Sequence, residues 1–139
     1  MFYEMMCMAL AIYFEARGEP LEGQVAVGQV IMNRVGDPRY PSDACSVVYE
    51  AEYYSWNPEL PIRNRCQFSF YCDGQSDNPG EQREFERCVL VASAVINKQT
   101  KDVVRGATHY HTTRVQPHWA EKDKQVRRIA KHVFYAGIL

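Results

Sequence analysis

Residues 2–17 are apolar on nearly every face, with Met5, Met6, Met8, Ala9, Leu10, Ile12, Tyr13 and Phe14 leaving no polar stripe. That pattern predicts a buried helix, because a helix with one wet side keeps its apolar residues to a single face. Gly18 suits a left-handed cap, and Pro20 suits the first position of a second helix. Residues 20–35 carry Gly23, Ala26, Val27, Val30, Ile31 and Arg34 at helical spacing, and Gly36 and Pro38 stop them. Pro41-Ser42-Asp43 opens a short helix over Ala44–Tyr49, with Ser42 as its expected cap. Residues 53–65 are polar and irregular around Pro58 and Pro61. Cys66–Tyr71 alternates as a strand or hairpin arm does, with Gln67 and Ser69 on one face. Turns follow at Asp73-Gly74 and at Asp77–Gly80. Residues 80–98 give the clearest helix, striped by Phe85, Cys88, Val89, Ala92 and Ile96. Ala107–Thr113 predicts a strand with His109 and His111 on one face and Tyr110 on the other. A loop around Pro117, a basic stretch and the apolar segment Val133–Tyr135 close the chain. The expected class is α+β, a mainly helical core with a small antiparallel sheet, in one domain over residues 1–139.

Composition narrows the function. The 139 residues are 46% hydrophobic and 24% charged, an ordinary globular mixture. Lys and Arg number 16 against 17 Asp and Glu, for a net charge of -1. That balance argues against a nucleic-acid binder, which needs a basic field. The longest apolar run, Met5 to Phe14, is about half of what a bilayer requires, so no membrane insertion is expected. Glu4 rather than Lys or Arg precedes it, so the chain as written shows no export signal. There are five cysteines and no C-x-x-C, which argues against a structural zinc site. They are expected as small buried hydrophobes, although Cys66 and Cys72 lie close enough along the chain to be bridged.

The most informative segment is Tyr13-Phe14-Glu15-Ala16-Arg17-Gly18-Glu19-Pro20. A carboxylate follows directly on a buried helix. Burial disfavours its charged form, and a protonated carboxyl in a cleft is what glycoside cleavage needs as general acid. The alternative for Glu15 is an ion pair with Arg17 or Arg34. Glu19 and Glu22 suit the first turn of the second helix. Gln67 and Ser69 are hydrogen-bonding candidates for a cleft, and Trp119, after His118, for stacking on a sugar. His109 and His111 form a pair that lacks a third metal ligand, so no metal is expected. Three other classes compete. One is a thiol enzyme on peptidoglycan peptides using Cys45 with His109 or His111. Another is a zinc amidase using the histidines, and the third a glycan-binding module without catalysis. The basic run Lys122, Lys124, Arg127, Arg128 and Lys131 is either a solvated face or a holder of an anionic polymer.

The opening segment, with Glu22-Gly23-Gln24 and Val30-Ile31-x-Asn33-Arg34, resembles the first motif of the SleB/CwlJ-type cell wall hydrolases, the spore-cortex-lytic enzymes and their relatives. Cys45–Tyr49, Cys66–Ser69, Cys72–Gly74, Ala107–His111, Pro117-x-Trp119 and His132-x-Phe134-Tyr135 follow in the same order. The resemblance implies a lysozyme-like, mainly helical fold without a cofactor. It implies cleavage of peptidoglycan glycan strands between N-acetylmuramic acid and N-acetylglucosamine, with Glu15 catalytic. It makes Gln67, Ser69, Tyr110, His111 and Trp119 candidates for the cleft. A lytic transglycosylase needs one acid/base carboxyl, whereas a hydrolase normally needs two. Gly18 and Pro20 separate Glu15 from Glu19 and Glu22, leaving Asp73 as the other candidate partner, so 1,6-anhydromuramic products are expected. A monomer is expected. The missing leader and wall-binding domain fit an endolysin that waits in the cytoplasm for a holin, or a trimmed domain of an exported protein.

Overall fold

The computed structural model describes residues 2–139 as four α-helices, five strands and two short 3-10 turns. Helix α1 (Phe2–Ala16) runs through the middle of a helical layer, against α2 (Leu21–Val35), α3 (Ala44–Val48) and α4 (Gln82–Ile96). Its lack of a polar face is thereby explained, because Met8, Ala9, Ala11 and Ile12 are wholly buried among three neighbours. Gly28 lets α2 close on α1 and α4. A Cβ there would stand 3.2 Å from Val95 Cγ2 and 3.3 Å from Met8 Sδ, so the helix carries glycine despite a propensity cost of about 1 kcal/mol.

Two details at helix ends differ from expectation. Gly18 does not take a left-handed conformation; glycines at positive φ are Gly74, Gly106 and Gly137. The cap of α3 is Asp43 rather than Ser42, its carboxylate accepting from the Ser46 N–H at 2.8 Å and the Ser46 hydroxyl at 2.9 Å. Asp43 stands directly before the first helical residue, where a side-chain oxygen reaches the free amides of the first turn.

The polar stretch expected to be irregular is an antiparallel hairpin, β1 (Ala51–Tyr54) and β2 (Asn57–Cys66). Pro58 and Pro61 are tolerated because β2 has a single partner, and the register shifts along it. Beyond Cys66 the chain does not continue as a strand. A disulfide joins Cys66 to Cys72, Phe68 and Phe70 turn into the core, and Ser69–Tyr71 coils into a 3-10 turn. Gln67 and Ser69 therefore share no strand face. A second disulfide, Cys7–Cys45, staples α1 to α3 across 38 residues of sequence, and Cys88 alone is a buried free thiol. Four of the five cysteines are thus bridged, contrary to expectation.

The second layer is a three-stranded antiparallel sheet in the order β3-β5-β4, from β3 (His109–Thr112), β4 (Gln125–Ile129) and β5 (His132–Tyr135). Part of the basic stretch is thus a strand. Phe134 and Ile129 on one face pack with Ala26 and Val30 of α2 and with Val104 and Ala107. Fully burying a ring such as that of Phe134 stabilises by about 2–3 kcal/mol. Tyr110 touches both this cluster and the helical core, so it sits on the seam between the layers.

Candidate active site

Glu15 lies in the last turn of α1, at the mouth of that seam. Its neighbours hold the helix end rigid. The Phe14 ring stacks on Phe70 at 4.9 Å, and the Tyr13 hydroxyl accepts the Glu81 N–H at 3.0 Å. Gln24 of α2, buried, donates to the Ala16 and Arg17 carbonyls at 3.2 and 3.3 Å. It occupies two acceptors that a helix end would otherwise leave open.

The Tyr110 hydroxyl donates to Glu15 Oε1, leaving Oε2 for an incoming group. Burial pushes the Glu15 carboxyl above its ordinary range. The Tyr110 hydrogen bond and the Arg34 charge pull the other way without cancelling it. The C-terminal end of a helix dipole likewise disfavours an anion there. Burial also pushes the Tyr110 hydroxyl up, which keeps it a donor. Arg34 is buried, its Nε donating to the Thr108 carbonyl at 2.8 Å, with Tyr40 and Phe68 rings beside its guanidinium. Glu15 therefore meets Arg34 through space but shares no ion pair with it or with Arg17, which pairs with Glu81 at 3.0 Å.

An open cleft of about 910 Å³ begins at Glu15. Glu19, Asp73, Thr112, Arg114, Arg128 and His132 are among its lining residues. Glu19 accepts the Lys131 N–H at 3.2 Å and stands 3.1 Å from His132 Nδ1. The His132 ring meets the Tyr110 ring edge-on at 5.2 Å. Glu19, Lys131 and His132 thus tie the β4–β5 turn to the loop after α1, and all three line the cleft. Glu22 diverges as expected, pairing with Arg127 at 2.9 Å.

The candidates named from sequence separate into groups. Glu15 and Tyr110 come together. Gln67 is exposed, its carbonyl accepting from Arg34 at 3.5 Å, and it reaches the site only through that residue. Ser69 is exposed in its 3-10 turn, outside the cleft lining. His111 and Trp119 lie on the other side of the sheet. His111 Nδ1 is 2.7 Å from the Thr112 carbonyl and Nε2 is 2.8 Å from the Tyr135 hydroxyl. Trp119 packs at 5.0 Å from His109, 5.8 Å from His111 and 5.3 Å from Tyr135. Strand alternation is the cause, because Tyr110 faces the seam and its neighbours face away. Neither His111 nor Trp119 lines the cleft.

The thiol-enzyme alternative falls, since Cys45 is bonded to Cys7. No group of three His, Cys, Asp or Glu side chains placed to share a metal ion occurs among the described residues. No helix among them is long and apolar enough to cross a membrane. Sequence reasoning passed over Glu19 with His132 as a pair, while Arg34, named as an ion-pair alternative for Glu15, is a through-space neighbour instead. The motif His132-x-Phe134-Tyr135 was the available signal.

The sequence profile of the cell wall hydrolase family matches residues 18–135, beginning just after Glu15. The spore cortex-lytic enzyme of Halalkalibacterium halodurans is 35% identical over 132 residues, which is 94% of this chain and 34% of the relative. That of Bacillus subtilis is 30% identical over 135 residues, 91% of this chain and 35% of the relative. The chain spans about a third of the length of these curated relatives. Among solved structures, the catalytic domain of the germination-specific lytic transglycosylase SleB from Bacillus anthracis superimposes with a TM-score of 0.72 at 28% identity. The match covers 96% of this chain and 93% of that one. The catalytic domain of the Bacillus cereus SleB protein gives a TM-score of 0.65 at 26% identity, over 96% and 89%.

Proposed function

The chain belongs to the cell wall hydrolase family, and from that premise we propose that its cleft cuts the glycan strand of bacterial peptidoglycan between N-acetylmuramic acid and N-acetylglucosamine. The carrying observation is the Glu15 carboxyl, its charged form disfavoured by burial, held by Tyr110 at the mouth of an open cleft. Burial raises its pKa, which favours the protonated form that a general acid needs.

Glu15 gives its proton from Oε2 to the glycosidic oxygen as the bond to muramic C1 breaks. The resulting carboxylate, stabilised by the Tyr110 hydroxyl and the Arg34 charge, then takes the proton of the muramic 6-hydroxyl as that oxygen bonds to C1. One carboxyl serves both steps, and the product is a 1,6-anhydromuramic end. An intramolecular hydroxyl has the advantage of high effective concentration over water. The Bacillus anthracis neighbour is a lytic transglycosylase, which supports this reading. The two disulfides suit an oxidising compartment, which is where the wall lies.

A hydrolytic second reading has one observation behind it: Glu19 and Asp73 line the same cleft as Glu15. Both are already engaged, Glu19 by Lys131 and His132, and Asp73 by the Gln75 N–H at 2.9 Å. Digestion of purified peptidoglycan in heavy-oxygen water, followed by mass analysis, separates the two. The proposal expects unlabelled anhydromuramic ends. Labelled ends reducible by borohydride point to water and to a second carboxylate, and cleaved amides or no product overturn glycan cleavage altogether.

A further inference from the structure

The basic run near the chain's end divides once its structure is known. Lys124 donates to the Gly137 carbonyl at 3.1 Å and Arg127 pairs with Glu22, so both are committed away from the cleft. Arg128 and Lys131 line the cleft, and Arg114 joins them from the turn after β3. The Thr113 N–H donates to the Lys131 carbonyl at 2.9 Å, which fixes that turn beside the β4–β5 turn. The guanidinium of Arg128 meets the Ala130 carbonyl at 3.1 Å. None of these three side chains has an ion pair among the described residues. The α1 side of the cleft carries Glu15, Glu19 and Arg17, the last paired with Glu81; Asp73 follows the 3-10 turn, and Glu19 reaches across to accept the Lys131 N–H. Three cations without an ion pair thus line the cleft from β4 and from the turns after β3 and β4.

N-acetylated sugars carry no charge for such a wall to meet. The negative groups nearest a muramic residue are the carboxylates of the peptide attached to its lactyl ether. Resting on the glycan-cleavage proposal above, we infer that Arg114, Arg128 and Lys131 form a subsite for the carboxylates of the stem peptide. The enzyme then selects peptide-bearing muramic residues beside the scissile bond. Cations at an exposed wall favour the encounter and the bound state while leaving the chemical step alone.

The experiment compares intact peptidoglycan with the same material whose carboxylates have been converted to amides, a treatment that leaves wall phosphates untouched. Cleavage is followed as soluble glycan fragments. Wild-type protein is expected to show a KM about tenfold higher on the amidated wall, the compound of three exposed charge contacts, with kcat unchanged. Added salt should raise KM on the intact wall and leave the amidated wall unaffected. The variant R114A/R128A/K131A, all at exposed positions, is expected to melt as wild type does and to cut both substrates alike. Equal wild-type KM on both walls overturns the subsite while leaving glycan cleavage standing. So does a variant that still discriminates. If wild type releases no glycan fragment from either wall, the cleavage proposal itself has failed.

Discussion

The two faces of the β3-β5-β4 sheet are built from the same residue types and do different work. On the seam face, Tyr110 and His132 meet Glu15, Glu19 and an open cleft. On the other face, His109, His111, Tyr135 and Trp119 form an aromatic cluster in which both His111 nitrogens are bonded, to the Thr112 carbonyl and the Tyr135 hydroxyl. Residue chemistry does not separate them, since each face has histidine and tyrosine. What separates them is the pleat, which sends alternate residues to opposite sides. A histidine with both nitrogens satisfied stabilises the fold. One set beside a carboxylate at a cleft wall is available to shape a site.

The largest test of that contrast is Glu15→Gln. Loss of a general acid costs about 10²–10⁴-fold in rate, so cleavage should fall by that much. Stability should move the opposite way. Burial raises the Glu15 carboxyl above its unfolded value, so the folded chain holds a proton that the unfolded chain has lost. That contribution favours the fold at low pH and fades as pH rises through the raised value. At neutral pH the neutral Gln should therefore melt at or above wild type. His111→Gln, on the opposite face, should keep the rate per folded molecule while lowering the melting temperature.

Trp119→Ala sharpens the contrast from the packing side. Sequence reasoning put this ring in the cleft, where its loss would weaken substrate use. Packed against three rings and only partly exposed, it should instead cost about 3 kcal/mol of stability, with activity per folded molecule retained. Denaturant unfolding beside kinetics on peptidoglycan distinguishes the two outcomes.

The smallest effect is a pH slope. Burial, with Arg34 and Arg39 adding to it, pushes the His109 imidazole down to about 4. Unfolded histidine binds its proton near pH 6.5, so between these values the unfolded state holds more protons than the folded one. Stability from this group is full above pH 6.5 and is lost as pH falls toward 4. His109→Gln should flatten the melting temperature over that window while leaving the seam face unchanged.

The helices were legible because their apolar patterns are local: α1, α2 and α4 each announce which faces are dry. Glu15 was legible for the same reason, as a carboxylate at the end of a helix with no polar side. The β1–β2 hairpin was not, because Pro58 and Pro61 mask a strand that needs hydrogen bonds on one edge only. The Cys7–Cys45 bridge was hidden because it depends on how α3 docks on α1. Alternation along β3 placed Tyr110 opposite His109 and His111. Which side would face a cleft depended on α2 packing under Phe134, which the strand's own residues do not encode. The Glu19–His132 pair was hidden likewise, since it forms only when the β4–β5 turn reaches the loop after α1.

Burial raises the Glu15 carboxyl, and the Tyr110 hydroxyl that donates to it pulls the other way. Carbon-13 labelling of glutamate, with the Glu15 resonance assigned by its absence in Glu15→Gln, follows that titration directly. Glu15 should titrate above the other glutamates. In Tyr110→Phe it should titrate higher still, because the lost hydrogen bond had favoured the charged form. A Glu15 that titrates with the exposed glutamates, or one that Tyr110→Phe leaves in place, would contradict the assignment of Glu15 and Tyr110 as the working pair.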